Sequence, residues 1–127
     1  MKTVIETKDA PAAIGPYSQA IFDPPSGLLF CSGQIALDPA SGAMETGGVE
    51  AEFRRVIQNV RGLLAARGLT LDHVIKTTLF LADMNDFAAV NALYAEAFSA
   101  PFPARSTVAA LGLPKGARVE LEVIARG

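Results

Sequence analysis

The sequence contains no tryptophan, only one cysteine and only one histidine, and these shortages exclude several classes of function. A single cysteine, Cys31, cannot form an internal disulfide. Cys31 and His73 together are too few for the usual zinc site, which needs three or four protein ligands. No Gly-x-Gly-x-x-Gly motif or phosphate-binding loop is present, which argues against a nucleotide cofactor. The sequence therefore predicts a protein that uses neither a metal nor a cofactor.

Clusters of basic residues and long apolar runs are also missing. Eleven Lys and Arg residues are scattered among thirteen Asp and Glu residues, for a net charge of −2, whereas nucleic-acid surfaces usually show a basic stripe. No apolar run approaches the ~20 residues of a membrane-spanning helix. Charged residues also lie near the start of the chain, where a signal peptide would have its apolar region. We therefore expect a cytoplasmic protein with no nucleic-acid or membrane partner.

The chain has 127 residues, half of them apolar, which suits a single domain over residues 1–127 with apolar surface left for subunit contacts. Hydrophobic periodicity predicts a helix from Val49 to Arg67 and a second from Asp86 to Ser99. Extended segments bounded by turn residues are predicted at 2–6, 17–22, 28–35, 74–81, 105–110 and 118–125. The resulting order, β-β-β-α-β-α-β-β, predicts an α+β fold in which both helices pack on one face of a mixed sheet.

The predicted helix placement leaves the other face of the sheet uncovered. Segment 74–81 is so apolar that we expect burial on both of its faces. In the last segment, Val119 and Leu121 alternate with Glu120 and Glu122, and the apolar set suits the helix-covered side. Glu120 is therefore expected to point to the uncovered side, where another subunit can close a pocket.

Arg105 and the two glutamates lie on the last two predicted strands, which we expect to be neighbours because only a short Leu-Pro-Lys-Gly link separates them. A guanidinium group keeps its charge and offers a planar fork of donors, so it suits a substrate carboxylate. A glutamate nearby can orient water or move a proton. This combination indicates chemistry on a small organic acid. Spacing alone does not decide whether Glu120 or Glu122 is the functional glutamate. It also leaves open that Arg105 forms only an ion pair with an acidic residue on the surface.

Five further positions have both a functional and a structural interpretation. Asn91 interrupts the apolar stripe of the second helix, so its amide either pins a loop or contacts a ligand. Tyr17 follows a Gly-Pro bend and lies either in a cleft or in a subunit interface. Ser32 and Gly33 either bring a backbone N–H close to a ligand or form a β-bulge. Thr107 is either a simple strand former or a ligand contact.

Ordered blocks along nearly the whole chain resemble the reactive intermediate deaminase family, RidA, also called YjgF. Their number and consistent spacing make the resemblance specific. The blocks are Ala10–Gln19, Ser32–Gln34, Lys76–Thr78, Asn85–Phe87, Val90–Asn91, Phe102–Ser106, Leu113–Gly116 and Glu120–Glu122.

The resemblance implies a chorismate-mutase-like fold and a homotrimer with three clefts between subunits. It also implies cofactor-free hydrolysis of 2-imino acids, such as 2-iminobutanoate and 2-iminopropanoate, to 2-keto acids and ammonia. By similarity, Arg105 grips the substrate carboxylate and Glu120 positions or activates water. The other positions that match the lining of the family's cleft are Tyr17, Ser32, Gly33 and Asn91. At position 107, where many members have cysteine, this chain has Thr107, which removes a thiol beside the arginine.

Several alternatives stay open at this point. The fold also supports chorismate mutase chemistry, which uses arginine to hold carboxylates. A non-enzymatic trimer that binds or senses keto acids is a second alternative, and a protein-interaction or chaperone-like role is a third. Related activities on another imine, an aminoacrylate or a carbamate are not separated by these residues.

Overall fold

The computed structural model describes all residues, 1–127. It contains eight main elements: β1 (Thr3–Ile5), β2 (Ala20–Asp23), β3 (Leu28–Gln34), α1 (Val49–Ala65), β4 (Val74–Leu81), α2 (Phe87–Ala97), β5 (Ala104–Ala109) and β6 (Val119–Arg126). The six strands form one mixed sheet in the order β1-β2-β3-β6-β4-β5. Only β4 and β5 are parallel, and every other neighbouring pair is antiparallel. The predicted α+β architecture and element order are confirmed.

Helix α1 buries the apolar stripe that its periodicity predicts. Phe53, Val56, Val60, Leu63 and Leu64 are each at most 1% exposed. Burying a side chain of this kind completely contributes roughly 1.5–3 kcal/mol. These residues join side chains of the sheet and of α2 in one core cluster of 26 buried residues. Both helices therefore cover the same face of the sheet.

Strand β6 lies in the middle of the sheet, between β3 and β4. The expectation that the last two strands are neighbours is therefore wrong, because β4 separates β5 from β6. The α2 crossover places β5 parallel to β4 at the edge of the sheet. The short link after β5 instead spans across β4, helped by a 3-10 turn at Pro114–Gly116.

The face of the sheet opposite the helices, called the open face below, carries apolar side chains that no element of the chain covers. Phe30 and Val108 are each 43% exposed, while Ile21, Phe80 and Ile124 are half-buried. The expectation that 74–81 is buried on both faces is not met within one chain, since alternate residues of β4 lie on the open face. No helix has both the length and the apolar character needed to cross a membrane.

Strand β2 begins at Ala20, three residues later than predicted, and the preceding residues 7–17 form an irregular segment, called the strap below. The Gln19 side chain holds the strap by hydrogen bonds to backbone atoms of Thr7, Ala10 and Pro11. The strap also packs closely on α1 at Gly62, where an added Cβ would lie 2.7 Å from the backbone carbon of Asp9. Only glycine fits this approach without displacing backbone.

Candidate active site

Arg105 lies on the helix-covered side of the edge strand β5, opposite Thr77 in the sheet register. Its Nη1 donates a hydrogen bond of 2.8 Å to Oδ1 of Asn91 on α2. The guanidinium carbon lies 4.6 Å from the ring centroid of Tyr94 and 5.5 Å from that of Phe87. These contacts restrict the Arg105 side chain. Its other N–H groups donate no hydrogen bond within the chain, so they remain for an anion.

A buried hydroxyl pair supports the Tyr94 ring beneath Arg105. The hydroxyl oxygens of Thr77 and Tyr94 are 2.7 Å apart, and the two residues are 0% and 4% exposed. Burial raises the pKa of the Tyr94 phenol, although the Thr77 hydrogen bond and the Arg105 charge oppose that rise. Thr107 is half-buried on the same side of β5 as Arg105. Arg105, Asn91 and Thr107 are called the Arg105 group below.

Glu120 lies on the open face of β6, opposite Phe80 of β4. Its carboxyl group rests against the backbone of β3 at Gly33, where an added Cβ would be 2.9 Å from the Glu120 Cδ and closer still to Oε2. The register of β3 shifts between Cys31 and Gln34, so Gly33 lies at a bulge and also permits a close approach. Glycine at position 33 therefore makes room for the carboxyl group.

The Glu120 carboxyl group is suited to proton transfer. Burial raises the pKa of Glu120 above its ordinary value, and the negative charge of Glu122, two residues along the same strand, raises it further. A carboxyl group with a raised pKa exchanges protons more readily near neutral pH. Glu122 itself is exposed.

Glu120 forms part of a cavity of about 420 Å³. Tyr17, Ser32 and Gly33 also line it, so four predicted site residues meet here; together they are called the Glu120 group. The Ser32 hydroxyl donates to the backbone oxygen of Ser18 at 2.6 Å and thereby ties the residue that follows the strap to β3. The cavity is completed by apolar residues of the strap, by Ile35 and Leu37, and by the turn that contains Pro114 and Lys115.

The Arg105 group and the Glu120 group lie on opposite faces of the sheet. Arg105 pairs with Thr77 and Glu120 pairs with Phe80. Thr77 and Phe80 are three residues apart in β4, so their side chains point to opposite faces. The expectation that Glu120 faces the open side is met, but the expected convergence of Arg105 and Glu120 does not occur within one chain.

Residues that sequence reasoning passed over also shape the two groups. Tyr94 belongs by its spacing to the apolar stripe of the second helix, yet its ring supports Arg105. Gln19 and Asn59 were given no role, yet both are buried amides bonded to backbone near the Glu120 cavity. The signal in the sequence that could have identified these residues is a polar side chain at a helix or strap position that the apolar pattern predicts to be buried. No group of three or more His, Cys, Asp or Glu side chains could hold a metal ion.

Comparison with known proteins places this chain in a family. A family model described as Endoribonuclease L-PSP matches residues 7–127. The 2-iminobutanoate/2-iminopropanoate deaminase of Capra hircus is 46% identical over 125 residues, which cover 98% of this chain and 90% of that protein. A solved structure of a Rid-family protein of unknown function from Yersinia pestis has a TM-score of 0.95 at 48% identity and covers 100% of both chains.

A further solved structure is that of E. coli TdcF with bound serine. It has a TM-score of 0.88 at 38% identity and covers 98% of each chain. The family match extends over nearly the whole chain, and the relatives share both sequence and fold with it. The chain therefore belongs to the Endoribonuclease L-PSP family, which is the RidA/YjgF family.

Proposed function

We propose that this protein hydrolyses small 2-imino acids, such as 2-iminobutanoate and 2-iminopropanoate, to 2-keto acids and ammonia, with residues 1–127 acting as one deaminase domain. Two side chains support this proposal most: the Arg105 guanidinium, whose conformation is restrained by Asn91, and the half-buried Glu120 carboxyl group, whose pKa is raised. Relatives named as 2-iminobutanoate/2-iminopropanoate deaminases support the substrate class. The serine bound to TdcF is also a small molecule with a carboxylate and an amino group.

The site is proposed to form between copies of the chain, in a homotrimer. The Arg105 group lies at the edge strand β5 and the Glu120 group on the open face, so a second copy is needed to bring one to the other. The apolar side chains of the open face, such as Phe30 and Val108, favour coverage by another protein surface. Cyclic assembly of identical chains would generate one complete site at each interface.

The proposed reaction needs only binding, orientation and proton transfer. Arg105 binds the carboxylate of the imino acid by charge-assisted hydrogen bonds. Glu120 takes a proton from water as the water oxygen bonds to the carbon of the protonated C=N group. The same carboxyl group returns that proton to nitrogen, and the C–N bond breaks as the C=O bond forms. Glu120 then takes the remaining hydroxyl proton and passes it to the departing ammonia, which leaves as ammonium. Ammonia and the 2-keto acid are the products, and no cofactor takes part.

Single variants test the roles of the two residues. 2-Iminopropanoate generated in solution is followed with wild type, Arg105→Ala and Glu120→Gln, and both variants are expected to lose most of the acceleration over the uncatalysed reaction. Arg61→Ala and Glu96→Gln remove a charge of the same kind on the exposed surface of the helices, and both should retain activity. Wild-type rates in the two site variants would refute the assignment.

Mixed assemblies test the sharing of the site. Differently tagged Arg105→Ala and Glu120→Gln chains are co-expressed in equal amounts and purified through both tags. If each site takes its arginine from one copy and its glutamate from the next, every trimer that carries both tags has one intact site and two defective ones, so about one third of the wild-type activity is expected. Purified mixed assemblies that stay inactive would exclude a shared site.

A further inference from the structure

The geometry points to Gln19 and Asn59 as positioning residues that hold the two walls of the Glu120 cavity and so set which substrate side chains it accepts. This inference rests on the proposed function, since it concerns selection among 2-imino acids. Neither residue belongs to the Arg105 group or is required by the proton transfers. The argument comes from the contacts that each buried amide makes.

Gln19 holds the first wall, which is the strap. Its amide nitrogen donates to the backbone oxygens of Thr7, Ala10 and Pro11 at 3.0, 3.2 and 2.8 Å, and its amide oxygen accepts from the Thr7 N–H at 2.8 Å. Gln19 is only 6% exposed. One buried side chain thus fixes the backbone immediately before Ala12, which lines the cavity together with Pro11.

Asn59 holds the second wall in the same manner. Its amide nitrogen donates to the backbone oxygens of Ile35 and Leu37 at 3.1 and 2.9 Å, and both of these residues line the cavity. Asn59 lies on α1 and is 0% exposed. It therefore couples the position of this loop to the rigid helix rather than to the neighbouring strand.

The part of the cavity between the strap and the Ile35–Leu37 loop is called the slot, and its lining is partly apolar and partly polar. It has apolar sides on the strap (Pro11, Ala12 and Ile14) and on the segment after β3 (Ile35 and Leu37), together with polar side chains that include Gln34, Lys115 and Glu120. An imino acid with its reacting carbon at Glu120 would place its side chain between these apolar sides. The cavity volume of about 420 Å³ leaves room for more than the methyl group of 2-iminopropanoate.

The slot implies a preference among substrates. We expect the imine derived from leucine to have a higher kcat/KM than the imine derived from alanine, by about tenfold or more, because each buried methylene group typically changes selectivity by 10-fold or more. Removing the hydrogen bonds that hold either wall should lower the ratio of kcat/KM for the leucine-derived imine to kcat/KM for the alanine-derived imine. A residue with a purely structural role would change stability and leave the ratio unaltered.

The experiment measures that ratio with both imines generated in solution. Gln19→Leu and Asn59→Leu keep side-chain bulk but remove the amide donors, and each is expected to bring the ratio several-fold closer to one. Gln19 also lines the cavity, so Asn59→Leu, which changes no lining residue, is the decisive variant. Ile14→Ala shortens a wall residue that is 74% exposed, so it retains the fold and is expected to lower the ratio as well. Val60→Ala is the matched control, since Val60 is 0% exposed beside Asn59 and lines no wall.

The outcomes separate this inference from the function on which it rests. Wild type that hydrolyses neither imine would refute the proposed function. Wild type that hydrolyses both, with an unaltered ratio in Ile14→Ala and in whichever amide variants fold, would overturn the inference alone. A ratio that falls equally in Val60→Ala would also overturn it, because general loosening would then explain the change.

Discussion

The close approach of Gly33 to Glu120 makes Gly33→Ala the sharpest single test of the site. An alanine Cβ would lie 2.9 Å from Cδ and 3.2 Å from Cγ of Glu120, whereas ordinary contact begins near 3.4 Å. The Glu120 Cδ must therefore retreat by about 0.5 Å, and Oε2 must retreat further. A misplacement approaching 1 Å can lower a rate by about 100-fold. We expect kcat/KM to fall by about 10- to 100-fold, which corresponds to roughly 1.4–2.7 kcal/mol.

The same substitution should leave stability nearly unchanged. The atoms displaced belong to the end of a flexible side chain, and Gly33 does not have a left-handed backbone conformation. Alanine in a strand is favoured over glycine by up to about 1 kcal/mol. The control is Gly112→Ala, since nothing lies within 4 Å of a Cβ there. Full imine hydrolysis by Gly33→Ala, or an equal loss when Glu120 is already alanine, would refute the reasoning.

Three further predictions follow from the charges and rings around the two groups. Glu122→Gln removes a negative charge that raises the pKa of Glu120, so the acidic limb of the pH–kcat/KM profile should move to lower pH; an unmoved limb would contradict this coupling. Tyr94→Leu removes the ring face beneath Arg105 and should raise KM by about 2- to 30-fold, since cation–π contacts contribute about 0.5–2 kcal/mol, whereas Tyr94→Phe should keep KM near that of wild type. Thr77→Val leaves the buried Tyr94 hydroxyl without its partner and should lower the free energy of unfolding in urea by about 1–3 kcal/mol, and pairing it with Tyr94→Phe should restore part of that loss.

Local sequence patterns were sufficient to predict the two helices and the face of the sheet on which Glu120 lies, because hydrophobic periodicity shows which face of an element is buried. The stripe from Phe53 to Leu64 predicted α1, although the helix ends at Ala65 rather than Arg67. Alternation in β6 predicted the open side for Glu120. Strand order was not accessible in this way, since the insertion of β6 between β3 and β4 is a long-range pairing.

The sequence also did not predict the hydrogen bonds that side chains make to backbone atoms far away in the chain. Nothing near Gln19 in the chain shows that its amide bonds to the backbone of Ala10 and Pro11. Asn59 likewise bonds to a loop more than twenty residues away. These contacts depend on the folded arrangement of the strap and of α1, so composition and spacing carry little information about them.

The placement of Arg105 and Glu120 on opposite faces has a consequence for how much of the protein must be present. Under the proposed function, a single chain would bind the carboxylate at one face and exchange protons at the other, so it could not do both to the same molecule. Turnover per chain should therefore decline on dilution below the dissociation constant for assembly, and rise again when the chains are concentrated. Under the proposed function, the activity of each chain would therefore depend on the total concentration of the protein.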